Sequence, residues 1–143
     1  MAEELNNGGG ENLLQLPSLT LAVDLGETTG LALYDLTRNL LRCTMLKHPD
    51  VIISIINLIN PDILILERFP ETSSLDTSVQ NAYTDICLTK NPLLISPGEW
   101  KPLMRVIHLP FPKYFTQHER DAANLIGFYF LGRRGEDIKW TFA

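Results

Sequence analysis

Runs of apolar residues separated by short polar turns divide the first part of the chain into predicted strands. Residues 19–23 form an apolar run that ends on Asp24, residues 31–35 alternate after a turn, and residues 40–46 form a third run. Successive strands joined by short links usually pair with their neighbours. The pattern therefore predicts an antiparallel meander at the start of the fold.

Helical spacing follows the third strand. Between residues 50 and 60 the polar side chains recur every three to four positions, which predicts a helix that Asn60-Pro61 ends. Further along, Ser73 and Asp76 resemble a capping box, and apolar residues follow on one helical face. The members of this face are Leu75, Val79, Ala82 and Ile86.

Two more strands and a last helix complete the predicted fold. Residues 62–67 are an apolar run that ends on Glu67, typical of a strand buried on both faces, and residues 93–96 form a fifth short strand. The last helix is predicted over residues 118–130, and no element is predicted beyond Gly132. The order β-β-β-α-β-α-β-α indicates an α/β fold with a five-stranded mixed sheet and helices on its faces.

The composition is that of one globular domain. The chain has 143 residues, of which 45% are hydrophobic and 20% charged. Its polar start predicts a flexible tail over residues 1–16, followed by a single domain over residues 17–143. No apolar run approaches the roughly 20 residues that span a bilayer. Acidic Glu3 and Glu4 stand where a signal peptide is basic, so we expect a cytoplasmic protein without membrane contact.

The charge is unevenly distributed along the chain. The formal net charge of −5 argues, at face value, against a nucleic-acid partner. Residues 1–96 hold five Lys and Arg against twelve Asp and Glu, whereas residues 97–143 hold seven against five. The basic residues of this second part form a candidate nucleic-acid face, although composition alone favours an ordinary solvated surface. They are Lys101, Arg105, Lys113, Arg120, Arg133, Arg134 and Lys139, with Trp100, Tyr114 and Phe115 as aromatic neighbours.

Three acids and one histidine form the candidate catalytic set. Asp24 and Glu67 each end a predicted strand, and both side chains leave the same edge of the sheet if those strands are parallel neighbours. His118 and Asp121 fall on the stripe of the last helix that would face the sheet. Carboxylates held together repel each other unless a cation shares the site, and their hard oxygen atoms suit Mg²⁺ or Mn²⁺. Two such ions about 4 Å apart can promote phosphodiester hydrolysis.

Each member of this set also has an ordinary structural interpretation. Asp24 is compatible with a simple strand-end turn, and Glu67 with an ion pair to Arg68. Asp121 suits the first turns of a helix, where the dipole favours an acid, and His118 is equally compatible with a surface or capping role. Taken singly, each acid favours the structural interpretation, whereas their joint order and placement favour a shared site.

Four segments together resemble a known family. Residues 22–33 (AVDLGETTGLAL) are similar to the opening hairpin of the RuvC-type Holliday junction resolvases of the ribonuclease H-like superfamily. Residues 62–69 (DILILERF) resemble the family's fourth strand, which ends in its second catalytic acid. Residues 118–123 (HERDAA) resemble the closing helix, and residues 95–101 (ISPGEWK) the segment after the fifth strand. The resemblance extends from residue 19 to about residue 130.

The resemblance implies a ribonuclease H-like fold and a metal-dependent endonuclease that hydrolyses phosphodiester bonds in branched or structured DNA. It makes four residues catalytic or metal-ligating, with two Mg²⁺ or Mn²⁺ ions: Asp24, Glu67, His118 and Asp121. The candidate DNA contacts are Lys101, Arg105, Lys113 and Trp100. Residues 104–117 contain two prolines where resolvases carry a longer and more lysine-rich segment, so four-way junctions are only one of the branched substrates to consider. The family's homodimer is compatible with the sequence but is not readable from it.

Two other functions stay open. A ribonuclease H-like domain can serve as a nucleic-acid-binding or regulatory module without strong nuclease activity. Residues 24–30 also resemble the phosphate loop of the actin, Hsp70 and sugar-kinase group. Those enzymes clamp ATP between two such domains, and this chain has the length of only one.

Overall fold

The fold begins with an antiparallel three-stranded meander. The computed structural model describes residues 18–69, 76–136 and 140–142. Its first strands are β1 (Leu19–Asp24), β2 (Thr29–Asp35) and β3 (Leu40–Leu46). Pairing is antiparallel between β1 and β2 and between β2 and β3, so the predicted meander is confirmed. The predicted flexible tail lies outside the described residues.

Helices and parallel strands alternate in the middle of the chain. After a 3-10 turn come α1 (Ile52–Ile59), β4 (Ile63–Glu67), α2 (Thr77–Lys90) and β5 (Leu93–Ile95). Asn60 ends α1 in the left-handed conformation, and Asp76 caps α2 by accepting a hydrogen bond from the backbone N–H of Ser78. The predicted helix face is buried at Val79, Ala82 and Ile86. Ser73 and Leu75 of that prediction lie outside the described residues.

Strand β1 joins the antiparallel and parallel parts of one sheet. The strand order is β5-β4-β1-β2-β3-β6, with β4 parallel to both β1 and β5. This mixed sheet with helices on its faces is the arrangement expected of a ribonuclease H-like fold, and the predicted α/β fold class is confirmed. The sheet has six strands rather than five, because Thr141–Phe142 form β6 beside β3. A two-residue strand has no periodicity that a sequence pattern could reveal.

Residues after β5 form a helix that the predicted element order lacked. This helix, α3, covers Pro97–Ile107 and begins with a capping box, in which Ser96 and Glu99 bind each other's backbone N–H groups. A proline suits the first position of a helix, since its missing N–H would have no partner there. Pro97-Gly98 therefore starts a helix and does not merely end a strand, which corrects the prediction.

The last predicted helix is present with slightly different bounds. Helix α4 covers Gln117–Gly127 and continues as a π-helical segment over Phe128–Arg133. In the described part of the chain, no helix is both long and apolar enough to cross a membrane.

Alternate residues of the central strands feed two separate cores. Leu21 and Leu66 pack with the apolar side chains of α1 and α2 on one face of the sheet. Ala22 and Ile65 pack on the other face with residues of α3 and α4, including Trp100, Met104, Ala122 and Ala123. Because side chains alternate along a strand, the face of each strand-end residue is already set by its neighbours.

Candidate active site

The parallel pairing of β1 with β4 brings Asp24 and Glu67 together. Ala22 pairs with Ile65 in this register, so Asp24 lies beside Glu67 two residues further along both strands. Both carboxylates are therefore on the face of the sheet that α3 and α4 cover. The prediction that β1 and β4 run in parallel and end at one edge is confirmed.

Gly30 lets the first turn of α4 lie directly against the sheet. It pairs with Asp24 across β1 and β2. A Cβ atom at this position would stand 2.1 Å from the carbonyl oxygen of His118 and 2.5 Å from its carbonyl carbon. No side chain fits at that separation, so the glycine is what allows the helix to start next to the acids. The fully buried Ala122 and Ala123 continue the close approach along α4.

A capping box determines where α4 begins. The Thr116 hydroxyl accepts a hydrogen bond from the Glu119 backbone N–H at 3.2 Å, and Glu119 Oε1 accepts one from the Thr116 N–H at 2.8 Å. Two backbone donors that the helix leaves without partners are thereby satisfied. This start places His118 and Asp121 in the first turns of the helix, at the edge where Asp24 lies.

His118 contacts Asp24 directly. Its Nδ1 atom lies 3.2 Å from Oδ2 of Asp24, and its side chain is 48% exposed whereas that of Asp24 is only 13% exposed. The imidazole donates to the carboxylate when it carries a proton on Nδ1, as it does whenever it is charged. The pair can therefore hold a proton between the buried acid and the solvent.

Trp100 contacts the second acid. Its indole Nε1–H donates to Oε2 of Glu67 at 2.5 Å. The ring is 4% exposed and belongs to the core beneath α3. A ring this deeply buried is poorly placed to stack on a base. The structure thus favours an orienting role on Glu67 over the DNA contact predicted for Trp100.

Burial and mutual repulsion act on both strand-end acids. Burial is the largest influence on the pKa of Asp24 and raises it, the hydrogen bond from His118 lowers it, and the charge of Asp121 raises it further. Burial also raises the pKa of Glu67, to about 7, and the charges of Asp24 and Asp121 add to the rise. The Trp100 hydrogen bond opposes this rise. The three acids therefore share one electrostatic environment.

The donor set suits a divalent cation in its chemistry. Carboxylate oxygens are the ligands that Mg²⁺ and Mn²⁺ prefer, and a cation would relieve the repulsion that raises the pKa values of Asp24 and Glu67. The Asp121 carboxylate accepts a hydrogen bond from Gln117 Nε2 at 2.7 Å. Among the described residues, no three His, Cys, Asp or Glu side chains are drawn together into a ready-made metal cluster. Metal ligation by these residues remains a prediction.

A cleft of about 630 Å³ lies between α3 and α4, and Trp100 and Asp121 form part of its wall. Two predicted DNA contacts, Lys101 and Arg105, also line it. Lys113 is not among its lining residues and is exposed in the turn before α4. The cleft is therefore continuous with the acidic edge and carries the opposite charge.

Two of the other candidate basic residues have acidic partners. Arg133 Nη2 donates to Glu99 Oε2 at 2.8 Å, which joins the π-helical segment to the start of α3. Arg134 pairs with Glu136. These contacts give both arginines a structural role, whereas Arg120 lines the cleft.

Three features of the site escaped the sequence analysis. Gly30 was part of a motif, but its role depends on which helix packs against it. Trp100 and Glu67 are 33 positions apart, so no local pattern links them. His108, which ends α3 in the left-handed conformation and lines the cleft, follows from the existence of a helix that was not predicted. The Ser96-x-x-Glu99 capping box was the available signal for that helix.

Comparisons with known proteins show a similarity in backbone structure and none in sequence. No family model matches the chain, and no curated protein matches its sequence. Among solved structures, that of RuvC from Thermus thermophilus is similar to this chain, with a TM-score of 0.49 and 13% sequence identity. The alignment covers 84% of this chain and 98% of the RuvC chain. Function therefore has to be inferred from the residues of the site themselves.

Proposed function

We propose that this protein is a metal-dependent endonuclease that hydrolyses phosphodiester bonds in branched or structured DNA. The observation that carries the proposal is the electrostatic stress at one edge of the sheet. Asp24 and Glu67 lie side by side there and both have raised pKa values. Their ionised forms therefore destabilise the folded protein, which acids at solvent-exposed positions would not do. Buried acids that repel one another are typical of catalytic sites. His118, Asp121 and the basic cleft lie at the same place.

The proposal assigns the acids to metal binding. Asp24 would bridge two Mg²⁺ or Mn²⁺ ions, with Glu67 and Asp121 holding one ion each. Such a pair, when bound, supplies an activated water and stabilises the leaving oxygen of the phosphodiester. Asp24 suits the bridging role because it interacts with both other acids, with Glu67 through a side-chain hydrogen bond and with Asp121 through its charge.

The other residues of the chain orient, transfer protons and attract the substrate. Trp100 restrains the Glu67 carboxylate through its indole hydrogen bond. His118 Nδ1 lies 3.2 Å from Oδ2 of Asp24 and the side chain is 48% exposed, so the imidazole can pass a proton between this acid and a reactant. Lys101 and Arg105 offer positive charge to the phosphates of a strand that approaches along the cleft. Hydrolysis forms a bond between the water oxygen and phosphorus and breaks the bond between phosphorus and the leaving oxygen, which takes up the proton that the water loses.

A second candidate function is a nucleic-acid-binding module without strong nuclease activity. One observation favours it: two acids already have partners within the protein, since His118 contacts Asp24 and Gln117 contacts Asp121. Carboxylates satisfied in this way would have less need of a cation.

The deciding experiment is cleavage of end-labelled four-way, flap and single-stranded DNA in the presence of Mg²⁺ or Mn²⁺. We expect the parent to cut at least one branched substrate and Asp24→Asn to lose activity by several orders of magnitude, because a bridging ligand is removed. Asp85→Asn is the matched control, since Asp85 is an exposed acid on α2 away from the site. Equal cutting by Asp24→Asn and the parent would refute the assignment.

Metal binding separates the two candidate functions. Calorimetric titration of the parent with Mn²⁺ should show binding that Asp24→Asn and Glu67→Gln each weaken. If the parent cuts no substrate and binds no Mn²⁺, the binding module becomes the better proposal.

A further inference from the structure

The cleft between α3 and α4 is lined by more cations than acids. Lys101, Arg105 and Arg120 line it, against the single carboxylate of Asp121, and His108 adds an imidazole ring. The salt bridges formed within residues 18–69, 76–136 and 140–142 involve none of the lysines or arginines of the cleft. The charges of Arg105 and Arg120 are therefore available to an anionic ligand, whereas Lys101 lies over the Trp100 ring and its charge also lowers the pKa of Glu67.

Arg120 is held in place by the chain itself. Its Nε–H donates to the carbonyl oxygen of Phe115 at 3.2 Å, and the residue is half-buried beside the cleft. A guanidinium has five N–H donors, so this bond leaves the terminal nitrogen atoms for another acceptor. A planar, partly anchored guanidinium suits a phosphate group particularly well, because two parallel hydrogen bonds can form without further ordering.

The remainder of the cleft wall has a different chemistry. Met104, Leu109 and Phe111 make it apolar, and Gln117 and Asn124 add amide groups. The volume of about 630 Å³ lies within the range of small-molecule sites, roughly 300 to 1,000 Å³. Inorganic phosphate would leave the apolar wall without a contact, and an uncharged nucleoside would leave the cations without one. A nucleotide matches both parts.

We infer that this cleft binds one nucleotide unit of a DNA strand. Arg105 and Arg120 hold its phosphate, the base lies against the partly buried Phe111 and Leu109, and Asn124 is available for hydrogen bonds to the base edge. The inference rests on the proposed function, because Asp121 forms both the wall of the cleft and part of the acidic site, so the bound unit neighbours the phosphate to be cut. Binding in the cleft needs no divalent ion, since the chain supplies the cations.

The test is binding in the presence of EDTA, measured by calorimetry with three probes. These are a deoxynucleoside 5′-monophosphate, the corresponding deoxynucleoside, and inorganic phosphate. We expect the monophosphate to bind about tenfold more tightly than either of its parts, and Arg105→Gln to weaken it about tenfold through the loss of a charged hydrogen bond. Arg120→Gln should have an effect of similar size.

Loss of binding through Arg105 can be distinguished from loss of binding through misfolding. Arg105 is exposed and its side chain makes no hydrogen bond with the described residues, so we expect Arg105→Gln to keep the fold even if Arg120→Gln disturbs the Phe115 contact. Arg38→Gln is the matched control, because Arg38 lies in the turn between β2 and β3 at the opposite edge of the sheet, and its affinity should equal that of the parent.

Several outcomes would overturn the inference. They are the absence of binding by every probe, equal affinity for nucleoside and monophosphate, equal affinity for phosphate and monophosphate, and parental affinity in Arg105→Gln. The Asp85→Asn variant, whose exposed acid lies away from the site, should bind the monophosphate like the parent. If the protein cuts DNA but the cleft fails this test, the inference is wrong and the proposed function stands. If the cleft binds the monophosphate but the protein cuts no DNA, the proposed function is wrong.

Discussion

The two ends of the parallel strand pair β1 and β4 both carry acids, with opposite electrostatics. At the end where the strands begin, Asp62 Oδ2 accepts hydrogen bonds from the Ser18 hydroxyl at 2.6 Å and from the backbone N–H groups of Ser18 and Leu19. These bonds, the Ser18 hydroxyl first, lower the pKa of Asp62. At the end where the strands finish, burial and repulsion raise the pKa values of Asp24 and Glu67.

The difference separates an acid that stabilises the fold from acids that are available for chemistry. Ionised Asp62 joins the starts of two neighbouring strands and stabilises the protein. Ionised Asp24 and Glu67 destabilise the folded protein, because in the unfolded chain these carboxylates are hydrated and lie further from other acids. The proposed cation would offset the repulsion between the two carboxylates and the cost of burying them.

The largest effect on stability should come from adding a Cβ atom at Gly30. Gly30→Ala would place a methyl group 2.1 Å from the His118 carbonyl oxygen. The first turn of α4 then has to move, which we expect to cost about 3 kcal/mol, at the upper end of overpacking effects. Urea unfolding measures this loss, and Mn²⁺ binding by the folded fraction should fall because His118 and Asp121 move with the helix.

Gly98→Ala is the matched control for that substitution. Nothing lies within 4 Å of a Cβ atom at this position in α3. The alanine should leave stability unchanged or raise it slightly, because it restricts the unfolded chain. A Gly30→Ala protein as stable as Gly98→Ala would mean that α4 does not need this close approach.

The next largest effect should come from adding a divalent cation. Mn²⁺ at one hundred times its dissociation constant should stabilise the parent by about 2.7 kcal/mol, through binding to the folded state alone. Thermal unfolding with and without Mn²⁺ measures it. The stabilisation should vanish in Asp24→Asn and persist in Asp62→Asn. The same response in both variants would mean that the two ends of the strand pair do not differ in metal binding.

A smaller effect is expected at Glu67 when no metal is present. The folded-state pKa of about 7 lies above the ordinary 4.5, so the folded protein holds this proton more tightly than the unfolded chain. This contribution to stability is complete below about pH 4.5 and is lost as the pH rises through 7. Glu67→Gln stays neutral and keeps an oxygen acceptor for Trp100. In EDTA it should therefore be more stable than the parent at pH 8, by the order of 1 kcal/mol after solvent screening.

Unfolding midpoints across that pH range test the Glu67 prediction. The advantage of Glu67→Gln should shrink towards zero near pH 4.5, where the parent carboxyl is itself protonated in the folded state. A variant less stable than the parent at pH 8 would show that the Glu67 carboxylate stabilises the fold, as Asp62 does.

The smallest effect, of opposite sign, is expected at Asp62. Its pKa is lowered in the folded state, so its contribution is present above the ordinary value of 3.8 and is lost as the pH falls through the folded-state value. Asp62→Asn should destabilise the protein at pH 7 by less than about 1 kcal/mol, because the group is exposed. The difference should narrow below pH 3.8 in acid unfolding. A stabilising Asp62→Asn substitution would remove the contrast between the two ends.

Much of the fold was predictable because its signals are local. The apolar runs of β1 and β4, each ending in an acid, predicted both strands and the edge that Asp24 and Glu67 share. Helix α3 was missed because Pro97-Gly98 has the composition of a strand stop, and only the Ser96 and Glu99 side chains mark a helix start. Strand β6 is too short to carry a pattern of its own.

Local patterns along the chain specify which residues end the strands, on which face they lie and which helix carries His118 and Asp121. These features depend on the two-residue and 3.6-residue repeats, which belong to each segment alone. The packing of α4 on Gly30, the hydrogen bond from Trp100 to Glu67 and the basic cleft beside the acids follow only from the folded arrangement. These contacts join residues far apart in the chain, and the burial that raises the pKa of Glu67 exists only once the helices cover the sheet.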